Sequence, residues 1–239
     1  MIDVVPAAWP LTGVRALTTR SAGGVSQGPY DSLNLASHVG DRIEDVLANR
    51  AELIRQQNLP SGPRWLNQVH GCQIVNAAAI GADPPTADGS FTVTAGVVCA
   101  VLTADCLPIV LADRMSRCVA TLHGGWRGLE AGIIEAGVSA LPVPASALVA
   151  WLGPAIGPAH YEVGEEVRAA FGPAAACAFR PLGHGQYRAD LYALARLHLK
   201  AAGVMEVYGG GLCTMTDPML FSYRRTKTCG RMATLAWII

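Results

Sequence analysis

Two short stretches, Thr103-Ala104-Asp105-Cys106 and His123-Gly124-Gly125-Trp126-Arg127-Gly128, decide how this chain folds and works. Each follows an apolar run rich in Val, Ile, Leu and Ala. Such runs, broken by polar residues and glycines, predict buried strands at 97–103, 107–112 and 117–122. Cys106 and His123 therefore stand where strands give way to turns.

A third residue of this kind is His70, within Asn67-Gln68-Val69-His70-Gly71. His70, Cys106 and His123 all lie at predicted junctions between strand and turn. Two imidazoles and one thiolate suit zinc, and three protein ligands leave a fourth position open, as in catalytic sites. Such an ion can activate water or polarise a substrate. A metal-free alternative has Cys106 as nucleophile and either histidine as its base.

The remaining pattern predicts a mixed α+β protein. Short connections join strand to strand, with a few helices between them. No internal repeat or linker is evident, so we expect one domain over residues 1–239. Further elements are expected as follows: helices from an Asp41 N-cap to about Leu59, from Arg127 to Leu141 and from an Asp190 N-cap to Gly203; strands at 147–152, 204–208, 219–223 and 232–238.

The composition restricts the classes of function. The 239 residues are 51% hydrophobic and 15% charged, and Lys plus Arg equals Asp plus Glu at 18 each. This balance gives no basis for a nucleic-acid surface. The apolar stretch from Ala95 to Ala112 contains Asp105 and Pro108, which favours buried strands over a membrane span. Seven cysteines without a CxxC pair fit a reducing compartment. We expect a cytoplasmic protein without a protein partner.

The Gly124-Gly125 turn offers a candidate anion site. A helix that begins after such a turn presents free N–H groups and a positive dipole end. Arg127 adds a guanidinium fork suited to phosphate or carboxylate. The alternative is a tight strand-to-helix turn with Arg127 on the surface.

Three arginines near the C-terminus, Arg224, Arg225 and Arg231, form a second basic group. They are expected either to bind an anionic substrate or to pair with carboxylates of the protein. Near the N-terminus, the segments 19–26 and 32–35 are interpreted as turns or as a polar lining.

Together these motifs resemble the YfiH/laccase-domain family, the "polyphenol oxidase" group also called peptidoglycan editing factor. The likeness runs from about residue 14 to the C-terminus. Cys229 departs from the family pattern, which often has threonine there. The motifs that carry the resemblance are Arg20-Ser21-Ala22-Gly23-Gly24, Ser32-Leu33-Asn34-Leu35, Asn67-Gln68-Val69-His70-Gly71, Thr103-Ala104-Asp105-Cys106, His123-Gly124-Gly125-Trp126-Arg127-Gly128, Gly153-Pro154-Ala155-Ile156-Gly157 and Phe221-Ser222-Tyr223-Arg224-Arg225.

The resemblance implies a compact, multi-layer α+β fold with mixed sheets flanked by helices, related to cysteine hydrolases. It implies a zinc-dependent purine nucleoside phosphorylase that uses adenosine, inosine, guanosine and methylthioadenosine and also deaminates adenosine. Copper is the alternative metal. The implied residues are His70, Cys106 and His123 as metal ligands and catalytic groups, and Arg20, Asn34, Arg127 and Arg225 as substrate-binding groups.

Other activities assigned within the family give alternatives. One is a hydrolase that edits peptidoglycan precursors by acting on UDP-MurNAc-L-Ser. Another is a copper-dependent laccase, although a single His2Cys set lacks the several coppers that four-electron oxygen reduction needs, even if its soft thiolate attracts copper. A third alternative is a binding protein that merely carries zinc.

Overall fold

The computed structural model describes residues 1–239 as strands and helices joined by short loops. The helices are α1 (Ile43–Gln56), α2 (Trp126–Glu130), α3 (Ile133–Ala140), α4 (Glu165–Ala170) and α5 (Leu191–Ala201). The strands are β1 (Val4–Pro6), β2 (Val14–Thr19), β3 (Ile74–Asn76), β4 (Gly89–Thr92), β5 (Cys99–Thr103), β6 (Leu107–Asp113), β7 (Val119–Gly124), β8 (Leu148–Leu152), β9 (Glu162–Gly164), β10 (Phe179–Gly183), β11 (Gln186–Ala189), β12 (Glu206–Gly209) and β13 (Met232–Ile238).

The largest sheet has six strands in the order β12-β8-β6-β7-β4-β3. Its central strands β6 and β7 are buried along their whole length, which explains their continuous apolar sequence. They pair antiparallel, with Pro108 opposite His123, and β4 pairs with β7 so that Gly89 lies opposite Leu122. The residues just before β4 and just before β6 therefore lie at the same end of the sheet as the last residues of β7.

A second sheet of four strands has the order β1-β2-β13-β5. The C-terminal strand β13 lies between β2 and β5 and is antiparallel to both, with Met232 opposite Thr103. Strands β5 and β13 also pack against β7 of the larger sheet. This register places the residues before β13 beside the last residue of β5, next to the end of the six-stranded sheet described above.

The largest hydrophobic cluster lies between the six-stranded sheet and helices α2, α3 and α5, where Leu122, Leu129, Ile134 and Leu199 are fully buried. A small antiparallel sheet, β10-β11-β9, flanks this region. The pairs β3–β4 and β8–β12 are parallel whereas the others are antiparallel. The prediction of an α+β fold with mixed sheets is confirmed.

Most predicted elements are present with small shifts at their ends. Strand 232–238 has the predicted bounds, and strand 107–112 extends by one residue to Asp113. The helix predicted to begin after Asp190 does so, since the Asp190 carboxylate accepts the Ala193 N–H at 3.0 Å. No helix is both long and apolar enough to span a bilayer.

Three local predictions are wrong. The helix predicted from Arg127 to Leu141 is two helices, because Gly132 adopts φ +88° and breaks it. Asp41 does not cap α1, since Arg42 occupies the N-cap and the Asp41 carboxylate instead accepts hydrogen bonds from Ser26 and Asn34.

The strand predicted at 219–223 is absent. The segment forms turns, and the carbonyl of Leu220, like three carbonyls shortly before the segment, accepts from a side chain rather than from a neighbouring strand. The Arg225 guanidinium donates to the carbonyls of Thr214, Met215, Asp217 and Leu220. The apolar spacing of this segment resembles that of a strand, but its hydrogen bonds do not form a ladder.

Tyr192 gives a test of how a buried hydroxyl holds the loops after β8 and β12 together. Its buried hydroxyl accepts the Ala155 N–H at 2.8 Å and lies 2.6 Å from the Leu212 carbonyl. Tyr192→Phe would leave a buried N–H unpaired, which costs about 1–3 kcal/mol. We expect urea unfolding to show this loss in the free energy of unfolding. Tyr30→Phe, at a less buried hydroxyl bonded to the Val39 carbonyl, is the matched control and should lose less. Equal losses would contradict the assigned role of Tyr192.

Candidate active site

The fold brings His70, Cys106 and His123 to one place. Their ligand atoms all lie within 4.8 Å of one another. The two imidazole rings meet edge to face, with centroids 4.7 Å apart. Burial is graded across the group, since His123 is buried, Cys106 is half-buried and His70 is exposed. One side of the group is thus open to a substrate.

The backbone makes room for this approach at Gly125. A Cβ at this position would lie 3.0 Å from a His70 ring carbon and 3.1 Å from the Cys106 sulfur. Two flanking residues hold unusual backbone angles, with φ +62° at His70 and φ +91° at Asp105. Residues other than glycine rarely adopt a positive φ, and such positions cluster at functional sites.

Asp88 holds the histidines in place. This fully buried carboxylate accepts the backbone N–H groups of Val69, His70 and Gly71 at 3.1, 2.8 and 2.7 Å. It also lies 2.8 Å from Nδ1 of His123. Because a carboxylate only accepts, Nδ1 of His123 carries a proton, so Nε2 is the ring nitrogen that would bind a metal after giving up its own proton. Burial acts against ionisation, but the bond from His123 and those from the backbone lower the pKa of Asp88.

The electrostatics favour a thiolate. Burial alone would raise the pKa of the Cys106 thiol, but the adjacent His123 and His70 lower it to about 6. Burial likewise acts to lower the pKa of His123, whereas Cys106 and Asp88 raise it to about 9. Thiolate and imidazole are the donors that zinc prefers in proteins. Ligand atoms around one tetrahedral zinc lie about 3.3–3.8 Å apart, so small side-chain rotations would complete such a set.

A cavity of about 410 Å³ opens beside these three residues. Such a volume is typical of small-molecule sites. Gln68 fixes one wall, because its amide exchanges two hydrogen bonds with the backbone of Leu102 at 2.7 and 2.9 Å. The other lining side chains that matter here are His38, Thr103, Asp105, Ile156, Tyr161, Tyr223, Arg224 and Arg231.

The four predicted substrate-binding residues do not line this cavity. Arg20 pairs with Asp3 and Asp217, each at 3.0 Å. Arg225 binds the carbonyls of its own loop, as described above. Arg127 is exposed and stacks over Trp126, with the guanidinium carbon 4.4 Å from the ring centroid. Their assignment to substrate stays a prediction.

Asn34, the fourth of these residues, is fully buried and acts on the cavity indirectly. Its Oδ1 accepts the backbone N–H of Arg231 at 3.0 Å and that of Ala36 at 3.0 Å. Asn34 thus positions a residue of the cavity wall.

Sequence reasoning missed Asp88, Tyr161 and His38. Asp88 precedes Gly89 at the start of a strand, and an acidic residue at such a junction was the available signal. For Tyr161 and His38 no local pattern existed, because only the tertiary fold brings their loops to the cavity.

Comparison with known proteins shows the family to which the chain belongs. The family described as multi-copper polyphenol oxidoreductase laccase matches residues 15–239. The chain belongs to this laccase-like family. The resemblance to YfiH proteins is thereby confirmed.

Named relatives and solved structures are similar over nearly the whole chain. The purine nucleoside phosphorylase YfiH of Shigella flexneri is 47% identical over 245 residues, covering 100% of each chain. A purine nucleoside phosphorylase of Pseudomonas aeruginosa is 48% identical over 96% of each. The crystal structure of a Neisseria meningitidis protein has a TM-score of 0.96 at 47% identity, covering 99% of both chains. That of YlmD from Geobacillus stearothermophilus has a TM-score of 0.91 at 34% identity, covering 97% of this chain and 94% of YlmD.

Asp88→Asn tests whether one carboxylate organises the site. The amide would place a donor against backbone N–H groups, and bonds to a charged acceptor contribute about 1.5–3 kcal/mol each. We expect the free energy of unfolding of metal-free protein to fall by at least about 1.5 kcal/mol. Zinc affinity should fall about 10- to 100-fold, as for other partners of metal ligands. Denaturation and competition with a zinc chelator measure the two effects.

The control for this prediction is Asp83→Asn, which changes an exposed carboxylate on the loop before β4. It should alter neither quantity. Asp88→Asn with wild-type stability and zinc affinity would contradict the role given to Asp88.

Proposed function

We propose that this protein is a zinc-dependent purine nucleoside phosphorylase. The observation that carries the proposal is the convergence of His70, Cys106 and His123 on a cavity of small-molecule size. Relatives of nearly equal length and close to half identity carry the same activity in their names. Adenosine, inosine, guanosine and methylthioadenosine are the proposed substrates.

In the proposed reaction a phosphate oxygen forms a bond to C1′ of the ribose while the bond from C1′ to the purine nitrogen breaks. The purine leaves with the electron pair and takes up a proton, and the other product is the sugar 1-phosphate, which is ribose 1-phosphate or, from methylthioadenosine, 5-methylthioribose 1-phosphate. When bound by His70, Cys106 and His123, zinc would supply a Lewis acid beside the reacting groups.

The protein's own residues orient this chemistry. Asp88 fixes the tautomer of His123 and the backbone that carries His70. Tyr161 and Tyr223 line the cavity and offer aromatic surface for a planar purine. The buried wall formed by Leu102 and Ile156 limits access of water on that side.

We also propose that adenosine is deaminated at the same site. Adenosine and water would give inosine and ammonia, with the C6–N bond broken and a C6–O bond formed. Both reactions should depend on the same three residues.

A second candidate is the amide hydrolase that acts on a peptidoglycan precursor such as UDP-MurNAc-L-Ser. The contact of Cys106 with two imidazoles favours it, since a thiol beside a base is the arrangement of a cysteine nucleophile. Such a reaction needs no metal. Copper oxidase activity has less support, because the structure holds one metal-ligand group and not several.

We further propose one domain over residues 1–239 and a cytoplasmic location. For the domain, the support is that β13 near the C-terminus pairs with β2 near the N-terminus. For the location, the support is that all seven cysteines are free thiols.

Cys106→Ala tests the proposed enzyme. We expect one zinc per wild-type chain and little in the variant, because a ligand is lost. The kcat/KM for phosphorolysis should fall more than about 100-fold, since even partners of metal ligands account for 10- to 100-fold. Deamination should fall with it. Metal analysis and chromatography of adenosine, adenine and inosine measure these changes.

Cys177→Ala is the matched control, since Cys177 is an exposed thiol outside the cavity. It should keep zinc and both activities. Full activity in Cys106→Ala would show that the site is elsewhere. Amide hydrolysis that survives zinc removal, without phosphorolysis, would favour the second candidate; oxidation of a phenol with bound copper would favour the oxidase.

A further inference from the structure

Two arginines on the wall of the active-site cavity, Arg224 and Arg231, have no carboxylate partner. The arginines that form ion pairs are Arg20, Arg42, Arg55, Arg114, Arg117 and Arg188. A guanidinium stays charged at all working pH values. Arg224 and Arg231 line the same cavity as Cys106, so two unpaired positive charges lie beside the space that a substrate would occupy.

The protein fixes each of these guanidinium groups at one end and leaves other donors free. Nη1 of Arg231 donates to the carbonyls of Cys229 and Gly230 at 2.8 and 3.1 Å. Nη1 of Arg224 donates to the Glu162 carbonyl at 2.9 Å. In both residues Nε and Nη2 make no hydrogen bond within the protein. A held guanidinium with free donors is suited to grip an oxyanion by two parallel bonds.

Aromatic rings support both groups. The Arg224 guanidinium lies 5.2 Å from the ring centroid of Tyr161, and that of Arg231 lies 5.8 Å from Tyr223. Rings at such distances stabilise a cation without neutralising its charge. The positive field therefore remains directed at the cavity.

Asp105 is the acidic residue on this wall, and its oxygens are already engaged. Its Oδ1 accepts the Thr214 hydroxyl and its Oδ2 accepts the backbone N–H of Arg224 at 2.6 Å. The pKa of His38, on the same wall, is lowered by burial and then by the positive charges of Arg231 and Arg50. The Thr103 hydroxyl, buried and without a partner, belongs to the same wall.

We propose that Arg224 and Arg231 form the subsite for a tetrahedral oxyanion of the phosphate type in this cavity. The inference rests on the proposed phosphorolysis, in which inorganic phosphate is the second substrate. It replaces the turn at Arg127 as the phosphate site, because Arg127 lies outside the cavity wall and α2 has only five residues.

The test is calorimetric titration of the purified zinc-containing protein with inorganic phosphate in the absence of nucleoside. Wild type is compared with Arg231→Lys, Arg231→Met, Arg224→Met and Arg127→Met. Losing one charge-assisted contact should raise the Kd for phosphate roughly 10- to 150-fold in the two methionine variants at the subsite. Arg231→Lys keeps the charge but not the fork, so its loss should be smaller.

Arg15→Met is the matched control, since Arg15 is exposed on β2 and outside this cavity. It should bind phosphate as wild type does. Thermal unfolding of every variant shows whether the fold is intact, and the KM for nucleoside should change less than the KM for phosphate. A nucleoside 5′-monophosphate is titrated in parallel. If it alone binds and depends on these arginines, the subsite stands and serves a phosphoryl group of the substrate.

Wild-type phosphate affinity in folded Arg224→Met and Arg231→Met would overturn the inference, as would a loss confined to Arg127→Met. These results differ from failure of the proposed function. Phosphate that binds through these arginines without any phosphorolysis would keep the subsite and overturn the phosphorylase. Phosphorolysis that is unchanged in both methionine variants would keep the phosphorylase and overturn the subsite.

Discussion

The site depends on one buried carboxylate, Asp88, and on the four N–H groups that it accepts. Three come from the loop that carries His70 and one from the ring of His123. Two segments distant in sequence are thus tied to a single acceptor in a low-dielectric interior, where such bonds are strong and an unpaired group is costly. This arrangement holds the two imidazoles together, with ring centroids 4.7 Å apart.

The register of the six-stranded sheet brings these residues together at one end of the sheet. Strands β4 and β6 begin where β7 ends, so that Asp88, Cys106 and His123 meet through strand register rather than through long loops. Sites on regular elements are held more rigidly than sites on loops. Loops supply other parts of the cavity wall, including Tyr161, Tyr223 and Arg224.

The sequence predicted those features that depend on local pattern. The apolar runs around Cys106 and His123 predicted the central strands, and the donor chemistry of His70, Cys106 and His123 predicted their association. What it missed depends on tertiary contacts. Arg225 and Arg231 look alike in sequence, yet one satisfies the carbonyls of its own loop and the other faces the cavity. The prediction of a strand at 219–223 was wrong for the same reason, because the contacts of Arg225 are tertiary and leave no local pattern in the sequence.

The central position of β13 affects how the molecule is made. Strands β2 and β5 have no neighbour between them until residues 232–238 pair with both, so the four-stranded sheet cannot close before β13 is in place. Arg231 reaches the cavity only when this strand inserts. Pairing over more than 200 residues is slow to form because the loop entropy must be overcome first. A chain in which β13 has not yet paired therefore carries an incomplete cavity and unpaired strand edges, which make it prone to aggregation.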